Sequence, residues 1–326
     1  MVGSAALDYH RLVPLGSAAR RPSPPWPAVA GLTVLATLGL SLWLLVGSAS
    51  GPQPPFLGAA GEPHVRRAPR ADALVLAGSG SNLPVTRALT TAYAERGVAP
   101  PPVVHSSVGS GGGMRALLDG AVDIAMVSRP LSASERAQKV TAVPYARAPV
   151  MVAVHASVPD REIDRAGLLE IFDGRRTQWE DGSPIVVIQR ERGDSSHAAV
   201  AQLVPQWAEI DERAYVARRW RVIYDDVGMQ DAIASTEGSI GLVGSGRVPD
   251  DLPIRVLGFE GVEPTAAAVQ DGSYPLYKDL AFVTLGDPDV RVADFYRFVF
   301  SDAGRGIIVD HGCVALGEHH TPKGLR

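Results

Sequence analysis

Three short runs of small polar residues carry the chain's most legible chemistry. The clearest opens the stretch Val108–Leu131 (VGSGGGMRALLDGAVDIAMVSRPL). A turn, Gly109-Ser110-Gly111-Gly112-Gly113, leads into Met114, Leu117 and Leu118 at helical spacing. Gly120 closes that helix, and an apolar strand over Val122–Val127 ends at Ser128-Arg129-Pro130. A turn that opens a helix presents backbone N–H groups without intrahelical partners, and an Arg at a strand end adds positive charge, so such a place suits an anion. No Gly-Lys-Ser/Thr follows, which excludes the phosphate loop of nucleotide-binding proteins, and the helix is too short for a dinucleotide fingerprint. A plain Gly-rich surface turn is the competing reading of this stretch taken alone. The second run is Gly78-Ser79-Gly80-Ser81-Asn82, and the third is Arg190-Glu191-Arg192-Gly193-Asp194-Ser195-Ser196. Arg190 ends an apolar strand ahead of its turn and can fork two donors onto an oxyanion. Asp194 is an N-cap candidate, with Ser195 and Ser196 in the first helical turn. Arg129 reads either as a cleft residue or as a surface ion-pair partner.

Other chemistries fit less well. Ser196 and His197 are adjacent on one helical stretch and do not share a face, and no G-x-S-x-G elbow is present, so a hydrolase is not expected. His319-His320 sit in a polar tail and read as exposed. The single cysteine, Cys313, excludes an internal disulfide and a cysteine-based metal site, and reads as a small core residue. The expectation is a protein that is not an enzyme and carries no cofactor or metal.

The elements that must position these runs follow from pattern. The chain has 326 residues, 46% of them apolar and 20% charged, enough for a sizeable core. A net charge of −4 argues against a nucleic-acid binder. Residues 1–27 lack periodicity and read as a disordered lead. Ala28–Val46 is a 19-residue uncharged run with Trp26 and Trp43 near its ends, long enough to cross a bilayer. An uncleaved single-pass anchor is favoured over a cleaved signal peptide, with the globular part extracytoplasmic. Residues 47–71, rich in proline and glycine, read as a flexible spacer.

From about residue 72 strands and helices alternate. Strands are expected at Ala73–Ala77, Pro102–Ser107, Pro149–His155, Pro184–Ile188, Ser239–Val243, Ile254–Leu257 and Leu280–Leu285. Helices are expected at Val85–Tyr93, Leu168–Phe172, Val200–Val204, Val227–Thr236, Val290–Phe300 and Asp302–Asp310. The unit strand–Gly turn–helix thus recurs three times. In open α/β sheets ligands bind at that edge of the strands.

These runs, together with Leu169–Trp179, Gly238-Ser239-Ile240-Gly241-Leu242 and Tyr274-Pro275-Leu276 with Phe295 and Phe298, resemble the periplasmic substrate-binding proteins of bacterial phosphate ABC transporters, the PstS-like group. The resemblance spans about Ala73–Leu316. It implies an α/β, two-lobed periplasmic-binding-protein fold of type II-like form, as one domain over 72–326. Lobe 1 would take about 72–150 and 248–326, and lobe 2 about 151–247, with two crossover strands as a hinge. Carried over by the resemblance, the ligand-binding positions are Asn82, Leu83, Ser110, Ser128, Arg190, Asp194, Ser195 and Ser196, with Gly111 and Arg129 as further candidates. It implies capture of an oxyanion, phosphate first, and delivery to an ABC-type permease. A sensor or interaction module using the same fold without transport is the alternative.

Three positions depart from the group's pattern. Asn82 stands where a Thr is usual. Ser128 stands where an Asp accepts the proton of hydrogen phosphate. Asp194 stands where a hydroxyl is usual. Three accounts of Asp194 stay open. It can take over the acceptor role, which would favour phosphate over unprotonated sulfate. It can cap its helix, leaving the site to a fully ionised or different anion. Or its charge repels small anions altogether.

Overall fold

A computed structural model describes residues 73–317. The expected lead 1–27, span 28–46 and spacer 47–71 lie outside these residues, as do His319 and His320. Among the described residues no helix is long and apolar enough to cross a membrane.

The strands in chain order are β1 (Val75–Gly78), β2 (Val103–Val104), β3 (Ile124–Val127), β4 (Val140–Pro149), β5 (Met151–His155), β6 (Glu162–Ile163), β7 (Val186–Arg190), β8 (Arg221–Ile223), β9 (Ser239–Val243), β10 (Ile254–Phe259), β11 (Tyr277–Leu285) and β12 (Val314–Ala315). They form two six-stranded sheets, ordered β12-β4-β11-β3-β1-β2 and β6-β10-β5-β9-β7-β8. In the first sheet β1, β2 and β3 run parallel, while β11 is antiparallel to β3 and β4. In the second, β7 runs parallel to β8 and β9, and β5 is antiparallel to β9 and β10. Each sheet organises one lobe.

Each lobe has its own core, as burial of both sheet faces requires. In lobe 1 the helix Val290–Val299 sends Phe295 and Tyr296 against Phe282, whose ring stacks on Tyr145 at 4.2 Å. Lobe 2 packs Leu168, Ile171, Phe172 and Trp207 around β5, β7 and β9. Cys313 is buried in lobe 1, and burial pushes its thiol up to about 12.

The chain crosses between lobes twice. One crossing is direct, from β4 through Val150 into β5. The return runs from β10 through the helix Ala266–Asp271 to β11. The two crossings are bonded to each other: Val150 N–H donates to Leu276 O at 2.8 Å, and Tyr274 Oη–H donates to Val150 O at 2.7 Å. Two crossover strands were expected; both crossings are present, but the return carries a helix.

Two sequence expectations change. The strand Ile254–Phe259, placed in lobe 1 by a boundary at 247, belongs to the second sheet, where it pairs with β5 and β6. Its apolar residues complete that core together with Val269, Tyr274 and Leu276, so lobe 2 extends beyond Phe259. The strand β4 was not expected ahead of Pro149, because Pro144 interrupts it. Pro144 lies opposite Ala281, beside a register shift at Leu280/Ala281. A proline beside such an irregularity need not cost a ladder hydrogen bond. The helix Trp207–Val216 was also not expected, although Trp207, Ile210 and Ala214 give it a buried face.

Candidate functional site

In lobe 1 the site is built where β1 and β3 end. Gly78 closes β1, and Gly113, in the helix that follows β2, packs against it so closely that a Cβ would meet Gly78 Cα at 2.6 Å. That contact seats the N-terminus of the helix Gly109–Leu118 on the strand end. Ser79 then caps a short 3-10 turn over Gly80–Asn82, which runs into the helix Leu83–Ala94 with Pro84 in its first turn. Ser128 follows β3. Its N–H donates to Ser110 Oγ at 3.3 Å, and its hydroxyl lies 2.5 Å from Ser79 Oγ.

In lobe 2, Asp194 caps the helix Ser195–Leu203. Its Oδ1 accepts from the N–H groups of Ser196 and His197 at 2.9 and 3.1 Å. Its Oδ2 lies 3.2 Å from Arg190 Nη2. Burial acts to raise this carboxyl, but Arg190 and Lys278 bring it down to about 2. Asp194 therefore stays ionised with both oxygens engaged.

Arg190 is 2% exposed and is shared by three carboxylates. Nη1 donates to Asp226 Oδ1 at 2.6 Å, Nε to Glu191 Oε2 at 3.0 Å, and Nη2 faces Asp194. Burial opposes its charge, while these carboxylates hold its guanidinium above the usual value. Burial, with Asp194 nearby, raises the Glu191 carboxyl although Arg190 pulls it down. The two donors expected to fork onto an oxyanion are directed at protein carboxylates.

Between the lobes stands Lys278, at an inward position of β11 and 5% exposed. Its Nζ donates to Ser81 Oγ at 2.7 Å, Ser195 Oγ at 3.0 Å and Ser196 Oγ at 2.7 Å. Ser128 Oγ donates to Ser195 Oγ at 2.7 Å, which is a second bond across the lobes. Gly244 leaves room here, since a Cβ would collide with the Lys278 ammonium and the Ser196 hydroxyl. No carboxylate among the described residues lies within 4 Å of Nζ. Burial lowers the Lys278 ammonium's pKa, and the more distant Asp226 and Asp194 act to raise it.

The protons can be followed one at a time. A hydroxyl has one proton and two acceptor lone pairs. Ser128 gives its proton to Ser195, so Ser79 is the donor to Ser128. Ser195 accepts from Ser128 and Lys278, and Ser81 and Ser196 accept from Lys278. The hydroxyl protons of Ser81, Ser195 and Ser196 thus have no acceptor among the described residues. The first turns of three helical segments bring these hydroxyls, with Ser110, into one cluster. The cluster offers donors and an ammonium, which suits a ligand rich in hydrogen-bond acceptors.

The chain matches a family model described as a PBP superfamily domain over residues 65–303. The chain belongs to that superfamily. A curated relative, the phosphate-binding protein PstS of Bacillus subtilis (strain 168), is 24% identical over 252 residues, covering 74% of this chain and 80% of its own. A solved structure described as a phosphate ABC transporter substrate-binding protein from Clostridium perfringens, with bound phosphate, is 22% identical. It aligns with a TM-score of 0.67 over 75% of this chain and 100% of its own. An ABC-type phosphate transport receptor from Vibrio cholerae aligns with a TM-score of 0.57 at 21% identity, over 74% of this chain and 99% of its own. The PstS-like group named from sequence motifs is the group these comparisons return.

Within the family frame, the positions carried over from sequence fall into two sets. Ser110, Ser128, Ser195 and Ser196 meet in the cluster, and Asp194 and Arg190 lie directly behind it. Asn82, Leu83, Gly111 and Arg129 do not join it. The Asn82 side-chain oxygen accepts from Tyr145 Oη at 2.8 Å, and its Nδ2 is buried without a partner. The Leu83 side chain is in the lobe 1 core, and its N–H bonds to Gly80 O. Gly111 is exposed. Arg129 lines the cleft between the lobes and donates to both oxygens of Glu135 at 2.8 Å, a half-buried ion pair that holds the Glu135 carboxyl down to about 2.

Sequence reading missed Lys278, Ser79, Ser81, Glu191 and Asp226 as site residues. Lys278 carried a signal: it is one of three lysines in the chain and takes an inward position in an alternating strand. Asp226 carried none, because it meets Arg190 from 36 positions away.

Proposed function

We propose that the chain is an extracytoplasmic solute-binding protein that takes an oxyanion of the phosphate class between its lobes. One observation carries this reading. Lys278 and the hydroxyls of Ser81, Ser195 and Ser196 form a buried set of donors drawn from both lobes, without a carboxylate to receive them. An oxyanion satisfies such a set, and the lobes approach one another in the same act. Relatives named for phosphate binding support phosphate as the first candidate.

The division of labour differs from the one the motifs implied. Lys278 supplies the cation that meets the ligand. Arg190 balances Asp194 and Asp226 and fixes the helix turn that carries Ser195 and Ser196. Asp194 caps its helix, as in the second of its three accounts, but the fully ionised anion of that account does not follow. The acceptor for a ligand proton is then Asp226, whose Oδ2 is buried and has no hydrogen-bond partner among the described residues. A carboxylate acceptor admits a protonated oxyanion and disfavours one with no proton to give.

Delivery to an ABC-type permease and tethering through Ala28–Val46 belong to the same proposal. The names of the relatives support the first, and the uncharged 19-residue run supports the second. Calorimetric titration of the full chain with phosphate, sulfate, molybdate and acetate tests the reading. The expected result is 1:1 binding of phosphate in preference to the others. Binding of none of the four contradicts it.

A further inference from the structure

The serine–lysine cluster opens on one side. Ser128, Ser195 and Lys278 also line a chamber of about 440 Å³ between the lobes. Lobe 1 contributes its walls from the segment after β3, from β4 and from β11, and lobe 2 contributes the helix Ser195–Leu203. A chamber of this size falls in the range of small-molecule sites, about 300–1,000 Å³, and exceeds what four oxygens require. Its lining includes the apolar residues Ala142, Pro144, Ala198 and Ala281. Polar groups line it as well, at Gln202 and Tyr277.

The charges around the chamber are already matched. Arg129 is held by both oxygens of Glu135. Arg147 Nε donates to Asp279 Oδ1 at 2.7 Å, and its guanidinium lies over the Tyr277 ring at 4.3 Å. A second anionic group on the ligand would find no unmatched cation there. An uncharged group with a short carbon chain and a few hydroxyls finds both apolar walls and hydrogen-bonding groups there.

We propose that the physiological ligand is a small phosphomonoester of an uncharged polyol. Its phosphoryl group sits on Lys278 and the Ser81, Ser195 and Ser196 hydroxyls, and its alcohol portion occupies the chamber. The inference rests on reading the cluster as an oxyanion site, and goes beyond it by naming the ligand class. Free phosphate would use the cluster and leave the chamber to solvent. An ester uses both, which gives it apolar burial that inorganic phosphate lacks.

The test is a pair of titrations of the full chain, with glycerol 3-phosphate and with inorganic phosphate. The ester is expected to bind at least tenfold tighter. Two variants fill the chamber from opposite walls: Ala142→Trp, at an exposed position of β4, and Ala198→Trp, on the facing helix. Circular dichroism and thermal melting identify which of them is folded. In a folded variant the ester should lose at least tenfold in affinity while inorganic phosphate changes less than twofold. Tighter binding of inorganic phosphate than of the ester overturns the inference and leaves the oxyanion reading standing. So does an equal loss, or no loss, of both ligands in the folded variants. Failure of both ligands to bind the parent chain overturns the oxyanion reading itself.

Discussion

The Nζ of Lys278 lies 2.7 Å from the Oγ of Ser196, which joins a strand of one lobe to the first helical turn of the other. The bond is buried, and its acceptor keeps a proton to give. Removing that hydroxyl takes one donor from the ligand and one acceptor from the lysine. Ser196→Ala should therefore weaken phosphate binding by about tenfold, the order expected when a hydrogen bond to a charged group is lost. Titration calorimetry checks this, and an unchanged affinity would remove Ser196 from the site.

Asp194 links the cap to Arg190 and should matter for stability at neutral pH. Removing one partner of a buried ion pair costs about 3–5 kcal/mol, so Asp194→Ala should lower stability by that order in denaturant unfolding. The pH dependence has a definite sign. The folded carboxyl lies near 2, below its usual value of 3.8. Its contribution is complete above the unfolded value and is lost as pH falls through the folded one. Asp194→Asn should flatten the acid limb of the stability curve between about pH 4 and pH 2. An acid limb identical to that of the parent chain would show that Asp194 does not carry it.

Asp226 should set the choice between anions. With both Asp194 oxygens engaged, the buried Oδ2 of Asp226 is the acceptor left for a ligand proton. Asp226→Asn should reduce the preference for phosphate over sulfate by about tenfold, the worth of one charged hydrogen bond. Competition of the two anions against a fluorescent reporter reads the ratio directly. A preserved ratio would place the acceptor elsewhere.

Binding should also weaken on the alkaline side. Lys278 must be protonated to meet an anion, and burial lowers its pKa below the ordinary lysine value of 10.5. Affinity for phosphate should therefore begin to fall below the pH at which an exposed lysine titrates. Titrations between pH 7 and pH 10 test this. Flat affinity across that range would mean that the ammonium is not what the ligand meets.

Much of this was legible in the sequence because it is local. A strand, a Gly/Ser turn and a helix start within a dozen residues of one another, and the turns at Gly78–Asn82, Gly109–Gly113 and Gly193–Ser196 carry their own chemistry. What was not legible depends on contacts between distant segments. Asp226 reaches Arg190 across 36 positions, and Lys278 reaches Ser81 across 197. Arg190 looked like a free fork because its carboxylates Glu191, Asp194 and Asp226 converge on it only once the lobe has folded. Pro144 concealed a ten-residue strand because a proline beside an irregular register reads, in sequence, as a break.

The account turns on Lys278 as the cation that meets the oxyanion. Its most direct test compares the parent chain with Lys278→Met in a calorimetric titration with inorganic phosphate at neutral pH, with thermal melts showing that both are folded. Loss of a buried charged partner weakens binding by about 2–5 kcal/mol, so affinity should fall on the order of 30-fold or more. A folded Lys278→Met protein that binds phosphate as the parent does would contradict the account.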